Sequence, residues 1–126
     1  MPVVKVFGLN SSPYSWEEFA SLEHRLKAVV VSVEELRVRD DQVTVFLVKD
    51  LLNEGPLNRG SQGDIVIDVT GITDKPERTE TVRQRLASYM VDSVKHFVEE
   101  IGDYKKHGLI ECFIHPFNRS NGYASA

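Results

Sequence analysis

Sulfur and tryptophan are scarce in this chain: one cysteine, two methionines and one tryptophan in 126 residues. A lone cysteine, Cys112, excludes an internal disulfide and fits a reducing, cytoplasmic setting. Its neighbours Ile110, Phe113 and Ile114 mark it as a core thiol in a strand rather than a nucleophile. No apolar run approaches the roughly 20 residues that span a bilayer. Positive charge is not in excess either. The formal charge is -4 and no basic run offsets it, which argues against a general nucleic-acid binder. His24, His96, His107 and His115 have no metal-ligand spacing. Gly60-Ser61-Gln62-Gly63 precedes a strand, not a helix, so its glycines serve turns rather than a phosphate. No metal or cofactor is expected. With 41% hydrophobic and 27% charged residues, the chain suits one compact domain over residues 1–126 with a modest core.

What is present begins at the first residue. Met1-Pro2-Val3-Val4-Lys5-Val6-Phe7 reads as a short strand, and leaves no room for a signal peptide ahead of it. Gly8 to Pro13 breaks it. Ser15 then caps a helix, Glu18 completes a capping box, and Tyr14 with Phe19 forms a hydrophobic staple. Trp16, Phe19, Leu22, Leu26, Val29 and Val30 make one apolar face. The β-branched run Val29-Val30-Val31 weakens the helix end, which falls between Ser32 and Leu36. Gln42 to Lys49 is a second strand and Asp64 to Thr70 a third, with a polar loop over 50–63 between them. Thr73 or Asp74 is expected to cap a second helix that begins near Pro76 and Glu77. Its apolar face is Val82, Leu86, Tyr89, Met90, Val94, Phe97 and Ile101, and Gly102 ends it. Leu109 to Ile114 is the fourth strand, and 116–126 reads as a docked tail.

The order is strand–helix–strand twice, with the halves offset by about 62 residues. Each crossover should be right-handed and join parallel strands. Two such units give an α+β fold, a four-stranded sheet with both helices on one face. The bare face predicts an oligomer.

Met1-Pro2 at the head of the first strand, the duplicated β-α-β units, and the ending Ile114-His115-Pro116-Phe117-Asn118-Arg119-Ser120 with Tyr123 resemble the tautomerase superfamily. That superfamily includes 4-oxalocrotonate tautomerase and macrophage migration inhibitory factor, and the ending is most similar to a little-characterised bacterial branch. The resemblance implies a homotrimer with sites at subunit interfaces. It also implies that Pro2, once Met1 is removed, is a general base acting on an enol or keto-acid substrate. Burial near cations lowers the pKa of such an amine from its ordinary 7.7 to 8.0. The developing enolate then needs a cation or hydrogen-bond donor. Arg119 is the first candidate, for its bidentate fork; Lys49, Arg59 and Tyr123 are the others. Where 4-oxalocrotonate tautomerase has an arginine early in its first helix, this chain has Ser11, Ser12 and Tyr14. Two further readings stand beside this one. A trimer of the same fold that binds a metabolite or protein without catalysis is one. A ferredoxin-like regulatory module is the other, and strand order separates it, because that fold pairs strands two and three as a hairpin.

Overall fold

The computed structural model describes residues 1–10, 14–49, 62–102, 104, 106–118, 122 and 124–126. Strand β1 spans Val3–Leu9 and helix α1 Trp16–Ser32. Two single 3-10 turns, Glu34–Leu36 and Asp40–Gln42, lead to β2, Thr44–Lys49. The second unit is β3 (Ile65–Thr73), α2 (Glu80–His96, continued by a π-helical turn over Phe97–Ile101) and β4 (Ile110–Phe117). The sheet order is β2-β1-β3-β4. Within each unit the strands are parallel, and β1 meets β3 antiparallel at the centre. Strands β2 and β3 are not neighbours, so the ferredoxin-like order is excluded.

Both helices cover one face. Val4 and Val6 of β1 and Ile65, Ile67 and Val69 of β3 are buried under Leu22, Leu26 and Val30 of α1 and Leu86, Met90 and Val94 of α2. The alternation of period two in the strands and the three- and four-residue steps in the helices meet here, which is why these residues fold this way. The α1 start forms as the residues dictate. The Ser15 hydroxyl accepts the Glu18 N–H, the Glu18 carboxylate accepts the Ser15 N–H, and the Tyr14 and Phe19 rings lie 5.2 Å apart.

Four expectations give way. Trp16, read as part of the apolar stripe, is 87% exposed. At about 100° per residue it sits some 80° from the midline that runs through Leu26, whereas Phe19 sits about 20° from it. Tyr89 and Ile101 are likewise exposed at the margin of α2. The second helix starts later, with Thr79 as its cap: the Thr79 hydroxyl accepts the Val82 N–H. The reason is that β3 runs on to Thr73, held by Asp74 N–H donating to the Phe117 carbonyl at 2.7 Å. Strand β1 crosses Gly8 through a bulge instead of stopping there. Finally β4 continues through Pro116; it is an edge strand, where the missing N–H is tolerated. The loop over 50–61, and 119–121 and 123 of the tail, lie outside the described residues.

The β1/β3 pair is the centre of an internal two-fold, and two glycines mark it. Gly8 and Gly71 both have positive φ, 94° and 78°. A Cβ on Gly71 would lie 2.1 Å from the Met1 carbonyl oxygen, and one on Gly8 would lie 2.4 Å from the Asp64 carbonyl oxygen. Met1 is to Asp64 as Gly8 is to Gly71, so each half buttresses the head of the other's first strand.

The bare face carries Phe46, Lys5, Asp68 and Phe113 in one row across all four strands. Phe46 is 51% and Phe113 46% exposed. On the covered side of β4, Cys112 is half-buried. Burial, and then the nearby Asp68 carboxylate, pushes its thiol up to about 12. A thiol whose folded pKa is raised stabilises fully below its unfolded value, and loses that contribution as pH rises toward 12. Two results are expected. Iodoacetamide at pH 8 should alkylate native Cys112 about a hundredfold or more slower than the urea-unfolded chain. Cys112→Ser should flatten the alkaline limb of a urea-stability profile above pH 9; a limb of equal slope in the variant contradicts the assignment.

Candidate active site

Pro2 heads β1 and is buried, although Met1 before it is 72% exposed. Three contacts fix this corner. The Pro2 carbonyl accepts the Thr44 N–H at 3.0 Å, which joins the heads of β1 and β2. The Met1 carbonyl packs on Gly71, where only hydrogen leaves room. The Thr44 hydroxyl donates to the Met1 sulfur at 3.6 Å. With Met1 attached, the Pro2 nitrogen is an amide and has no basicity. Its removal would open the space between β2's head and Gly71 to a secondary amine.

Among the described residues, a cation held fixed at this end of the sheet is Arg78, which sequence reasoning did not single out. Its Nη1 donates to the Thr73 carbonyl and hydroxyl at 2.8 and 2.9 Å, and its Nη2 to the Leu36 carbonyl at 2.8 Å. Thr73 lies two residues beyond Gly71, so Arg78 clamps the end of β3 to the 3-10 turn Glu34–Leu36 that follows α1. Its buried Nε finds no partner among the described residues. The only advance sign of Arg78 was its place between a strand and an apolar helix, a place shared by many solvated arginines.

Other charges around this end are engaged or exposed. Arg85 of α2 pairs with Glu35 of the 3-10 turn after α1, and that contact holds the Glu35 carboxyl below, and the Arg85 guanidinium above, their ordinary values. The pair lies in a polar cleft of about 580 Å³ with Glu34, Arg37, Glu77 and Tyr89 on its walls. Arg37 holds a left-handed backbone, φ 49°. Arg39 pairs with Asp41 in the open, where such a contact adds little. On the bare face His115 Nε2 lies 2.9 Å from Asp68 Oδ1. Among the described residues no group of three or more His, Cys, Asp or Glu could hold a metal.

Of the expected site residues, the structure places Pro2 and the backbone of Lys49. Lys49 pairs with Leu9, at the far end of the sheet from Pro2. One chain therefore keeps the two apart by the length of β1. Arg59, Arg119 and Tyr123 lie outside the described residues.

No family model matches the chain, and no curated protein matches it by sequence. Solved structures do. A fused 4-OT, "F6", solved as an asymmetric trimer, is 16% identical over 96% of this chain and 99% of its own, with a TM-score of 0.54. A member of the cis-3-chloroacrylic acid dehalogenase family, "N1", is 12% identical over 98% and 78%, TM-score 0.60. The malonate semialdehyde decarboxylase FG41, inhibited by 3-bromopropiolate, is 16% identical over 99% and 91%, TM-score 0.54. Among the described residues no helix is long and apolar enough to cross a membrane. Sheet order, the two parallel units about an antiparallel centre, and these likenesses agree: the chain has the fold of the tautomerase superfamily.

Proposed function

We propose that this protein is a tautomerase-type isomerase whose base is the Pro2 nitrogen, freed by removal of Met1. The observation that carries the reading is the corner itself. A buried proline heads a central strand beneath an exposed methionine. A neutral secondary amine there takes a proton from carbon beside a carbonyl and returns it to a different carbon or to the enol oxygen. The enolate formed between these steps needs positive charge. Arg119 is assigned that role, with Arg59 and Tyr123 as further contacts. Lys49 joins them from a neighbouring copy, because it lies at the wrong end of its own chain. The substrate class is a small enol or keto acid, in the cytoplasm. The assembly is a homotrimer in which the Phe46–Lys5–Asp68–Phe113 face is shared between copies.

The test uses protein whose intact mass shows Met1 absent. It is expected to ketonise enol phenylpyruvate and to gain one adduct from 3-bromopropiolate on the Pro2 nitrogen. Pro2→Ala should lose about a hundredfold or more of the activity. An unlabelled Pro2, or a Pro2→Ala enzyme as active as wild type, ends the proposal. A second reading, binding without catalysis, is favoured by one feature: both terminal nitrogens of Arg78 are already spent on backbone and Thr73 oxygens. Retention of Met1 in the purified protein would decide for it.

A further inference from the structure

We propose that His115, held by Asp68, is a second proton-transfer group of the Pro2 site. It gives a proton to the substrate's carbonyl oxygen while Pro2 takes one from the neighbouring carbon. The assignment rests on the Pro2 reading above and names a residue that completes it.

The register of the sheet carries it. Between β3 and β4, Val69 pairs with Ile114 and Ile72 with Pro116. Thr70 and Gly71 therefore stand together opposite the single residue His115. This is a bulge, the kind of irregularity that re-aims a side chain. Gly71 is also the residue on which the Met1 carbonyl packs. His115 thus lies one strand spacing, about 4.8 Å, from the strand position that Met1 covers. On the other side, Val3 follows Pro2 and pairs with both Thr70 and Thr44. Thr44, Val3, Thr70 and His115 form the row of the bare face nearest Pro2. The Phe46–Lys5–Asp68–Phe113 row is one step further in. The dyad straddles the two: Asp68 sits in the row assigned to contacts between copies, and His115 at the rim beside Pro2.

The His115 Nε2 lies 2.9 Å from Asp68 Oδ1. A carboxylate on one ring nitrogen fixes the ring and favours its charged form. Nδ1 is then the nitrogen that meets a substrate. The Phe113 ring flanks the imidazole at 6.5 Å. Other charges stand around it. Lys5 is opposite Asp68 on β1, and Glu111 is on β4. From α2, Glu80 and Arg83 share with His115 a cleft of about 360 Å³.

The protons balance without a co-reactant. In the enolising direction the neutral Pro2 nitrogen takes the C–H proton, and that bonding pair becomes the C=C bond. The carbonyl π pair moves to oxygen and takes the proton of the His115 imidazolium. Pro2 ends protonated and His115 neutral, and solvent exchange resets both. Ketonisation runs the same steps backwards. Arg119 keeps the role proposed for it, since a fixed positive charge and a proton donor act on the same oxygen in turn.

The experiment follows ketonisation of enol phenylpyruvate against pH, using protein whose intact mass lacks Met1. Labelling of Pro2 by 3-bromopropiolate is the parallel readout. In this direction neutral His115 accepts the enol proton, so the wild-type kcat should fall toward acid. His115→Gln is expected to lose about a hundredfold in kcat with little change in KM. It should also lose the acid limb and still label at Pro2. Asp68→Asn keeps the side-chain shape and should lose about tenfold in kcat. If His115→Gln fails to fold, Asp68→Asn decides by its kcat and acid limb. A His115→Gln kcat within about threefold of wild type overturns the assignment. So does a raised KM with kcat unchanged, or an acid limb that persists. Each of those results leaves the Pro2 reading standing. A wild type inert toward enol phenylpyruvate also overturns the assignment, and if Pro2 is unlabelled as well, the Pro2 reading falls with it.

Discussion

Gly71→Ala is expected to destabilise the chain that retains Met1 by about 3 to 4 kcal/mol, and the chain that lacks it by about half as much. Two physical costs add here. The left-handed backbone at φ 78° charges any Cβ roughly 1 to 2 kcal/mol. The added carbon would also sit 2.1 Å from the Met1 carbonyl oxygen and 3.0 Å from its carbon. Neither atom belongs to a flexible side chain, so backbone must move, at the 1 to 3 kcal/mol typical of overpacking. Removing Met1 removes both atoms, and the next contact, the Pro2 Cα, is at 3.3 Å. Gly8 is the control from the other half. Gly8→Ala meets the Asp64 carbonyl oxygen at 2.4 Å whether or not Met1 is present, and should cost about 3 to 4 kcal/mol in both chains. Urea melts of the four variants and the two parent chains measure this directly. If Gly71→Ala costs the same with and without Met1, the methionine carbonyl does not occupy the space beside Gly71. The picture of Met1 as the plug of the Pro2 corner would then be wrong.

That picture was only half legible in the residues. Met1-Pro2 reads in the sequence as a proline at the head of a strand, and the fold does bury it there, at the start of β1. Period-two and three-four spacing placed all four strands and both helices, because burial on one face dictates those periods. What the residues did not carry is which polar side chain closes on a distant backbone atom. Arg78 reaches the Leu36 carbonyl across 42 positions, and nothing local signals such a reach. Thr79 lost to Thr73 and Asp74 as the expected cap for a related reason: the pull of β4 on β3, through Asp74 N–H and the Phe117 carbonyl, comes from the partner strand. Trp16 was misplaced by counting spacing without angle. A three-residue step keeps a residue near the stripe once, but two such steps carry it to the margin.

Gln62 shows the same limit at higher stakes, and replacing it should be among the costliest single changes in the chain. In the sequence it is one polar residue in a glycine-rich loop. In the fold it is 2% exposed. Its amide oxygen accepts the Asn10 N–H at 3.1 Å, and its amide nitrogen donates to the Gly8 carbonyl at 2.6 Å. Its own carbonyl accepts the Gly108 N–H at 3.0 Å. Asn10, wholly buried, donates through Nδ2 to the Tyr104 hydroxyl at 3.0 Å. The network therefore ties the end of β1 to the approaches of β3 and β4. Gln62→Leu fills the space but withdraws one acceptor and one donor from buried backbone groups, each worth about 1 to 3 kcal/mol. A loss of about 3 to 4 kcal/mol is expected, a large share of the 5 to 15 kcal/mol typical of a domain. Tyr104→Phe removes only a hydroxyl from a neutral side-chain amide and should cost about 1 kcal/mol. Because Asn10 links the two bonds, Gln62→Leu and Tyr104→Phe should not add: the double variant should lose about 0.5 kcal/mol or more less than the sum. Strict additivity, or a Gln62→Leu protein within about 0.5 kcal/mol of wild type in urea, would mean that the network is a set of independent contacts and that packing alone holds this end of the sheet.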